Sequence, residues 1–163
     1  MNEVFRIFVA IIAIQRQTKL NNPDAGVYLG QELGKTLREA PLFQDLDYLI
    51  PVPLHPKKEK ERGYNQSLMI AQGVAEVTGV PVGTTFLTRS VYTSTQTHKS
   101  KEERWQNVKG IFELHHAEQL QGKYVLLIDD VLTTGATLEA CALTLSVVPS
   151  ITISCATAAC AGQ

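Results

Sequence analysis

Two adjacent aspartates, Asp129 and Asp130, are followed within a few residues by Thr133-Thr134-Gly135-Ala136-Thr137. Paired carboxylates accept hydrogen bonds from hydroxyls or hold a cation. Like charges set side by side repel, so their placement points to a ligand, metal or cationic partner. The small, hydroxyl-bearing stretch behind them suits a loop whose backbone N–H groups open a helix, and a helix N-terminus binds anions. Acceptors for hydroxyls beside donors for a phosphate are what a sugar phosphate needs. The plainer alternative is a pair of exposed acids followed by a helix cap.

The element that must carry these groups is the run before them. Val125-Leu126-Leu127-Ile128 is four apolar residues without alternation, as in a strand of a parallel sheet covered on both faces. The acids then stand at the strand's carboxyl end, where open α/β sheets bind ligands. No G-x-G-x-x-G follows a strand and no G-x-x-x-x-G-K-[ST] occurs, which argues against a dinucleotide fold and a P-loop.

The rest of the chain alternates strand and helix patterns. Residues 1–20 fit either a strand or a helix. Leu29, Leu33 and Leu37 recur every four residues in a helix over Ala25 to Ala40, with Gly26, Gly30 and Gly34 on a neighbouring stripe that implies close packing. A strand is expected over Tyr48 to Pro53, a polar loop over Leu54 to Gln66, a helix over Ser67 to Thr78 and a strand over Val80 to Thr88. Arg89 to Gln106 is long, polar and without period, which suggests a lid or binding loop. A strand over Val108 to Leu114, a turn over His115 to Gly122, a helix over Leu138 to Val147 and a strand over Ile151 to Ala158 complete the pattern. The alternation predicts an α/β fold with a mainly parallel central sheet flanked by helices.

Composition sets bounds. At 163 residues, 44% hydrophobic and 19% charged, the chain is expected to be one globular domain spanning 1–163. A net charge of -1 gives no global argument for nucleic acid or membrane. Cys141, Cys155 and Cys160 include no C-x-x-C pair, so packed thiols in a reducing cytoplasm are expected, without a disulfide framework or zinc ribbon. The apolar run from Val4 to Ile14 is too short to span a bilayer.

Val125–Thr137 resembles, at every position, the phosphoribosyl-pyrophosphate (PRPP) signature of type I phosphoribosyltransferases. Ile50-Pro51-Val52-Pro53-Leu54-His55-Pro56 with Glu61-Arg62-Gly63-Tyr64-Asn65-Gln66-Ser67 is similar to the competence-protein F family. So is Thr93-Ser94-Thr95-Gln96-Thr97 leading to Glu103-Arg104, Asn107-Val108 and Gly110-Ile111-Phe112. Two departures stand out. The cysteine-rich zinc module that usually begins that family is absent, and residues 1–20 match poorly.

The resemblance implies a type I phosphoribosyltransferase fold with a flexible hood inserted over 89–114. It implies PRPP as ligand and Mg²⁺ as cofactor. Asp129 and Asp130 would hold the ribose hydroxyls and the metal, the latter directly, through water or through the ribose. Thr133, Thr134, Gly135, Ala136 and Thr137 would hold the 5′-phosphate. Arg62 and Gly63 would meet pyrophosphate, with Lys57, Lys58 and Lys60 as solvating or contacting neighbours. Lys101 and Arg104, with Thr93 and Gln96, would act from the hood. The implied reaction is transfer of ribose 5-phosphate to a nitrogen acceptor with pyrophosphate release. An acid often stands at the position of Thr133 in enzymes for 6-oxopurines, so purine salvage of that kind is disfavoured. The alternative is an accessory protein of DNA uptake that binds PRPP or a nucleotide without turnover, with single-stranded DNA as partner to basic residues in 57–62 and 99–109. A homodimer and a cytoplasmic location, with no membrane contact, are further expectations.

Overall fold

The computed structural model describes residues 9–11 as backbone, and residues 22–90 and 110–160 in full. Its elements in order are β1 (Val9–Ile11), α1 (Pro23–Glu39), a 3-10 turn (Pro41–Phe43), β2 (Tyr48–Pro51), α2 (Pro56–Arg62) and α3 (Gln66–Thr78). There follow β3 (Leu87–Arg89), β4 (Phe112–Leu114), a 3-10 turn (Ala117–Leu120), β5 (Tyr124–Leu132), α4 (Ala136–Leu145) and β6 (Thr152–Cys160). The main sheet is parallel throughout, in the order β1-β6-β5-β2. A single parallel bridge from Leu49 to Val82 extends it past β2. The segment 1–20, open between strand and helix from its sequence, contributes β1.

β5 lies inside the sheet and both its faces are buried, which is why its apolar residues do not alternate with polar ones. Leu126 and Ile128 join Leu29, Leu33, Ile70 and Val74 under α1 and α3. Val125 and Leu127 face the other way, with Leu138, Cys141 and Phe112, under α4 and the β3–β4 pair. The glycine stripe has the role its spacing implies. A Cβ at Gly30 would collide with the carbonyl of Ile70, and one at Gly73 with the carbonyl of Val27, so α1 and α3 cross backbone to backbone.

Three expectations need correction. The polar segment Leu54 to Gln66 is not simply a loop, because Pro56–Arg62 forms α2. His55 caps it through its ring nitrogen, Pro56 supplies a preset first-turn φ, and Gly63 closes it at φ 88°. The strand expected over Val80 to Thr88 is interrupted, with one bridge at Val82 and then β3. β5 does not end at Ile128. It continues through both acids to Leu132, paired on the β6 side alone. Of the thiols, Cys141 and Cys155 are buried but Cys160 is exposed, and all three are free.

Candidate active site

β2 and β5 run side by side only as far as Pro51 and Ile128. Asp129 and Asp130 therefore stand just beyond the end of β2, with β6 still beside them. Asn65, the N-cap of α3, fastens the neighbouring loop. Its amide nitrogen donates to the Val52 carbonyl at 3.0 Å, and its side-chain oxygen accepts from the amides of Ser67 at 3.0 Å and Leu68 at 3.4 Å. That fixes Ser67, whose hydroxyl donates to Asp129 Oδ1 at 3.0 Å. The amide of Asp130 donates to the same oxygen at 2.9 Å, and the amide of Val131 donates to Asp130 Oδ1 at 2.8 Å.

Electrostatically the pair is frustrated. Burial first, and the charge of Asp130 second, push the Asp129 carboxyl up to about 6, while the Asp130 amide and Ser67 hydroxyl pull it back. Thr157, the register partner of Asp129 on β6, is fully buried, and its hydroxyl has no hydrogen-bond partner. Polar groups left short of partners in a fold's interior cost stability, and such costs concentrate at functional sites.

A cleft of about 170 Å³ opens over this strand end, and its walls include Arg62, Ser67, Arg89, Asp129, Asp130 and Thr137. Four sequence-expected residues, Arg62, Asp129, Asp130 and Thr137, thus come together. Arg62 is exposed and hydrogen-bonded to Gln66. Thr133 and Thr134 are exposed in the turn beside the cleft, and Gly135 and Ala136 lead from it into α4. Gly135 is the N-cap of α4 at φ 77° and offers no side chain to the first helical amides. α1, α2 and α3 are capped by the side chains of Asn22, His55 and Asn65. The amides that open α4, which have no intrahelical acceptors, are left for an anion.

Gly63 has a different place from the one its spacing suggested. Its left-handed conformation ends α2, and its own N–H is spent on the Glu59 carbonyl at 2.7 Å. Lys101 and Arg104, with Thr93 and Gln96, lie outside the described residues. The base of the segment is visible: β3 and β4 pair antiparallel, and the Ser90 amide donates to the Ile111 carbonyl at 3.0 Å.

Arg89 is the site residue that the sequence pattern did not single out. It sits at the end of β3, half-buried, with its guanidinium 5.5 Å from the centre of the Phe112 ring. Such stacking preorganises a cation without neutralising it. The only sequence signal was its position as first residue of the long polar segment.

Two adjacent carboxylates raised by mutual repulsion fit a divalent cation or a set of hydroxyls. Mg²⁺ in particular is bound through one or two carboxylates plus substrate phosphates. Among the described residues no cluster of three or more His, Cys, Asp or Glu could hold a metal by itself. Nor is any described helix long and apolar enough to cross a membrane.

The family described as "Phosphoribosyl transferase domain" matches residues 65–162. Competence protein F of Haemophilus influenzae is 36% identical over 92 residues, which are 56% of this chain and 40% of that protein. Competence protein ComFC of Bacillus subtilis is 35% identical over 91 residues, 56% of this chain and 35% of that one. The matched region is thus well under half the length of these relatives. Among solved structures, the glutamine PRPP amidotransferase of B. subtilis superposes with a TM-score of 0.53 at 22% identity, over 81% of this chain and 26% of that one. That likeness is one of fold, and it bears out the expected type I phosphoribosyltransferase architecture.

Proposed function

The chain belongs to the phosphoribosyl transferase domain family, and from that premise we propose that it binds PRPP with Mg²⁺ and transfers ribose 5-phosphate to a nitrogen acceptor, releasing pyrophosphate. One observation carries the reading. The acid pair, the start of α4 behind a capless Gly135, and two arginines converge on one cleft at the carboxyl edge of the sheet.

Each group has a physical task. Asp129, oriented by Ser67 and the Asp130 amide, accepts from the ribose hydroxyls together with Asp130. The amides of Thr133 to Thr137 receive the 5′-phosphate at the positive end of α4. Arg62 and Arg89 face the pyrophosphate, where negative charge grows as the C1–O bond breaks. Arg89 is held in place by Phe112, whereas Arg62 at the end of α2 can follow the leaving group. Mg²⁺, held by Asp129 and Asp130 directly, through water or through the ribose, would supply neutralisation of the diphosphate charge. Residues 91–109, with Lys101 and Arg104, would cover the site and exclude water.

The test is the thermal midpoint with PRPP and Mg²⁺, followed by pyrophosphate release with a panel of amines and heterocycles. A rise in midpoint that Asp129→Asn with Asp130→Asn abolishes, and turnover with some acceptor, is the expected result. No rise at millimolar PRPP refutes the reading.

A second reading is favoured by the relatives' names. Two are competence proteins, and a Salmonella typhi protein that is 36% identical over 91 residues is called a DNA utilization protein. On this reading the chain binds PRPP or a nucleotide without turnover and serves DNA uptake. A PRPP-induced rise without turnover would favour it, together with single-stranded DNA binding that falls steeply with salt.

A further inference from the structure

A second cleft, of about 240 Å³, adjoins the first. The two share Pro53, Leu54, Asn65 and Arg89, so a molecule in one lies against a molecule in the other. Its remaining walls are mainly apolar: Pro51, Pro56, Leu68 and Leu87, in addition to the shared Pro53 and Leu54. Proline and leucine side chains at this spacing offer apolar surfaces to a flat ring.

The polar groups on this wall are few, and some are already committed. Asn65 uses both ends of its amide on the Val52 carbonyl and the α3 amides. The Thr88 hydroxyl is bonded to His115 Nε2 at 2.8 Å. Glu59, on α2, and Thr84, ahead of β3, remain as a carboxylate and a hydroxyl facing the same space. Arg89 stands at the seam with the donor cleft. Such a site is apolar with a small number of placed polar groups, as small-molecule sites are.

We propose that this second cleft seats the acceptor, and that the acceptor is a single-ring nitrogen heterocycle presenting an N–H to Glu59. The proposal rests on the transferase reading above. Size decides against a fused-ring acceptor. At a share of ~30 Å³ per water the cleft holds about eight waters, and it lies below the roughly 300–1,000 Å³ of sites for drug-sized ligands. The geometry also orders the reaction. The acceptor nitrogen gives its electron pair to the new bond with ribose C1. The C1–O bond to pyrophosphate breaks, and its pair leaves with the pyrophosphate, towards Arg89 and Arg62. The nitrogen's proton passes to Glu59 and from there to solvent.

The experiment measures pyrophosphate release with PRPP, Mg²⁺ and a panel of single-ring and fused-ring nitrogen heterocycles, beside the PRPP-induced thermal rise. Turnover is expected from single-ring compounds. Thr84→Trp, an exposed position whose enlargement fills this cleft, should lower kcat/KM at least tenfold and leave the PRPP-induced rise in place. Glu59→Gln, on the exposed surface of α2, should lower kcat and flatten the acid limb of its pH profile, again with the PRPP-induced rise retained. Fused rings turned over better than single ones, unchanged kcat/KM in both variants, or a PRPP-induced rise with no heterocycle turned over would each overturn the assignment. No PRPP-induced rise in the parent protein would remove the transferase reading, and this proposal with it.

Discussion

Asp129→Asn should make the ligand-free protein more stable while destroying the site. The carboxyl of Asp129 is pushed up to about 6 from 3.8, chiefly by burial and then by the charge of Asp130. A carboxyl raised in the folded state binds its proton more tightly there than in the unfolded chain. Stability is therefore full below the unfolded value, falls as pH rises through the window from 3.8 to about 6, and stays lowered above it. At about 1.4 kcal/mol per unit, the ionised group costs the fold up to about 3 kcal/mol at neutral pH. Asparagine is nearly isosteric, and its oxygen can still accept from the Ser67 hydroxyl and the Asp130 amide, so the change removes the charge and little else. For a domain of this size that corresponds to a rise of roughly 5–10 °C in Tm. The assay is thermal unfolding of parent and variant without ligand, at about pH 4 and about pH 8. The gain should be large at pH 8, nearly absent at pH 4, and accompanied by loss of the response to PRPP and Mg²⁺. A variant less stable than the parent at pH 8, or a gain equal at both pH values, would refute the account of Asp129 as a carboxylate held in its site against its own solvation.

The other expectations concern the scaffold and the arginines. Gly30→Ala or Gly73→Ala should cost at least about 2 kcal/mol in urea unfolding, because the added methyl meets backbone rather than a movable side chain. A neutral result would mean that α1 and α3 can separate freely. Asn65→Ala should cost roughly 2–3 kcal/mol, about 1 for the lost cap and the rest for the stranded Val52 carbonyl, and should weaken PRPP binding as Ser67 loosens. Unaltered PRPP affinity would separate the loop from the acids. Arg89→Lys should raise the PRPP Kd about tenfold without lowering the ligand-free Tm by more than a few degrees, since a lysine keeps charge but loses the planar fork. An unchanged Kd would place the pyrophosphate elsewhere.

Legibility in the sequence followed the kind of force involved. β5 and the helices facing the sheet were readable because burial writes itself as apolar residues in a run or at helical spacing. The acid pair and the loop after it were readable because charge repulsion and a glycine at a helix start are local. α2 was not, since every residue from Lys57 to Arg62 is charged and no apolar period exists. Its signals were a proline at the first position and a glycine past the last. Arg89 was hidden for another reason. Its role depends on the stack against Phe112 and on two clefts meeting, both of which join residues far apart in the chain.

The same logic explains why the site lies where it does. Val52 N–H donates to the Ile128 carbonyl at 2.8 Å, so the next rung of the parallel ladder would run from the Asp130 amide to the Val52 carbonyl. Neither group takes it. The Asn65 side chain claims the Val52 carbonyl, and the Asp129 carboxylate claims the Asp130 amide. Pro53, lacking an N–H, could not have continued the ladder in any case. Two side chains have thus replaced one backbone bond, and the replacement parts β2 from β5 just where the acids begin. One substitute anchors the loop that carries Arg62, and the other orients the first acid. The cleft is the gap left by a sheet that is stopped on one side of β5 and allowed to run on the other, with β6 beneath the acids as a rigid floor. An acid pair in a fully paired strand would have its backbone locked at ladder spacing. Here the carboxylates are set by side chains that also set the opposite wall, so donor and leaving-group contacts share one frame.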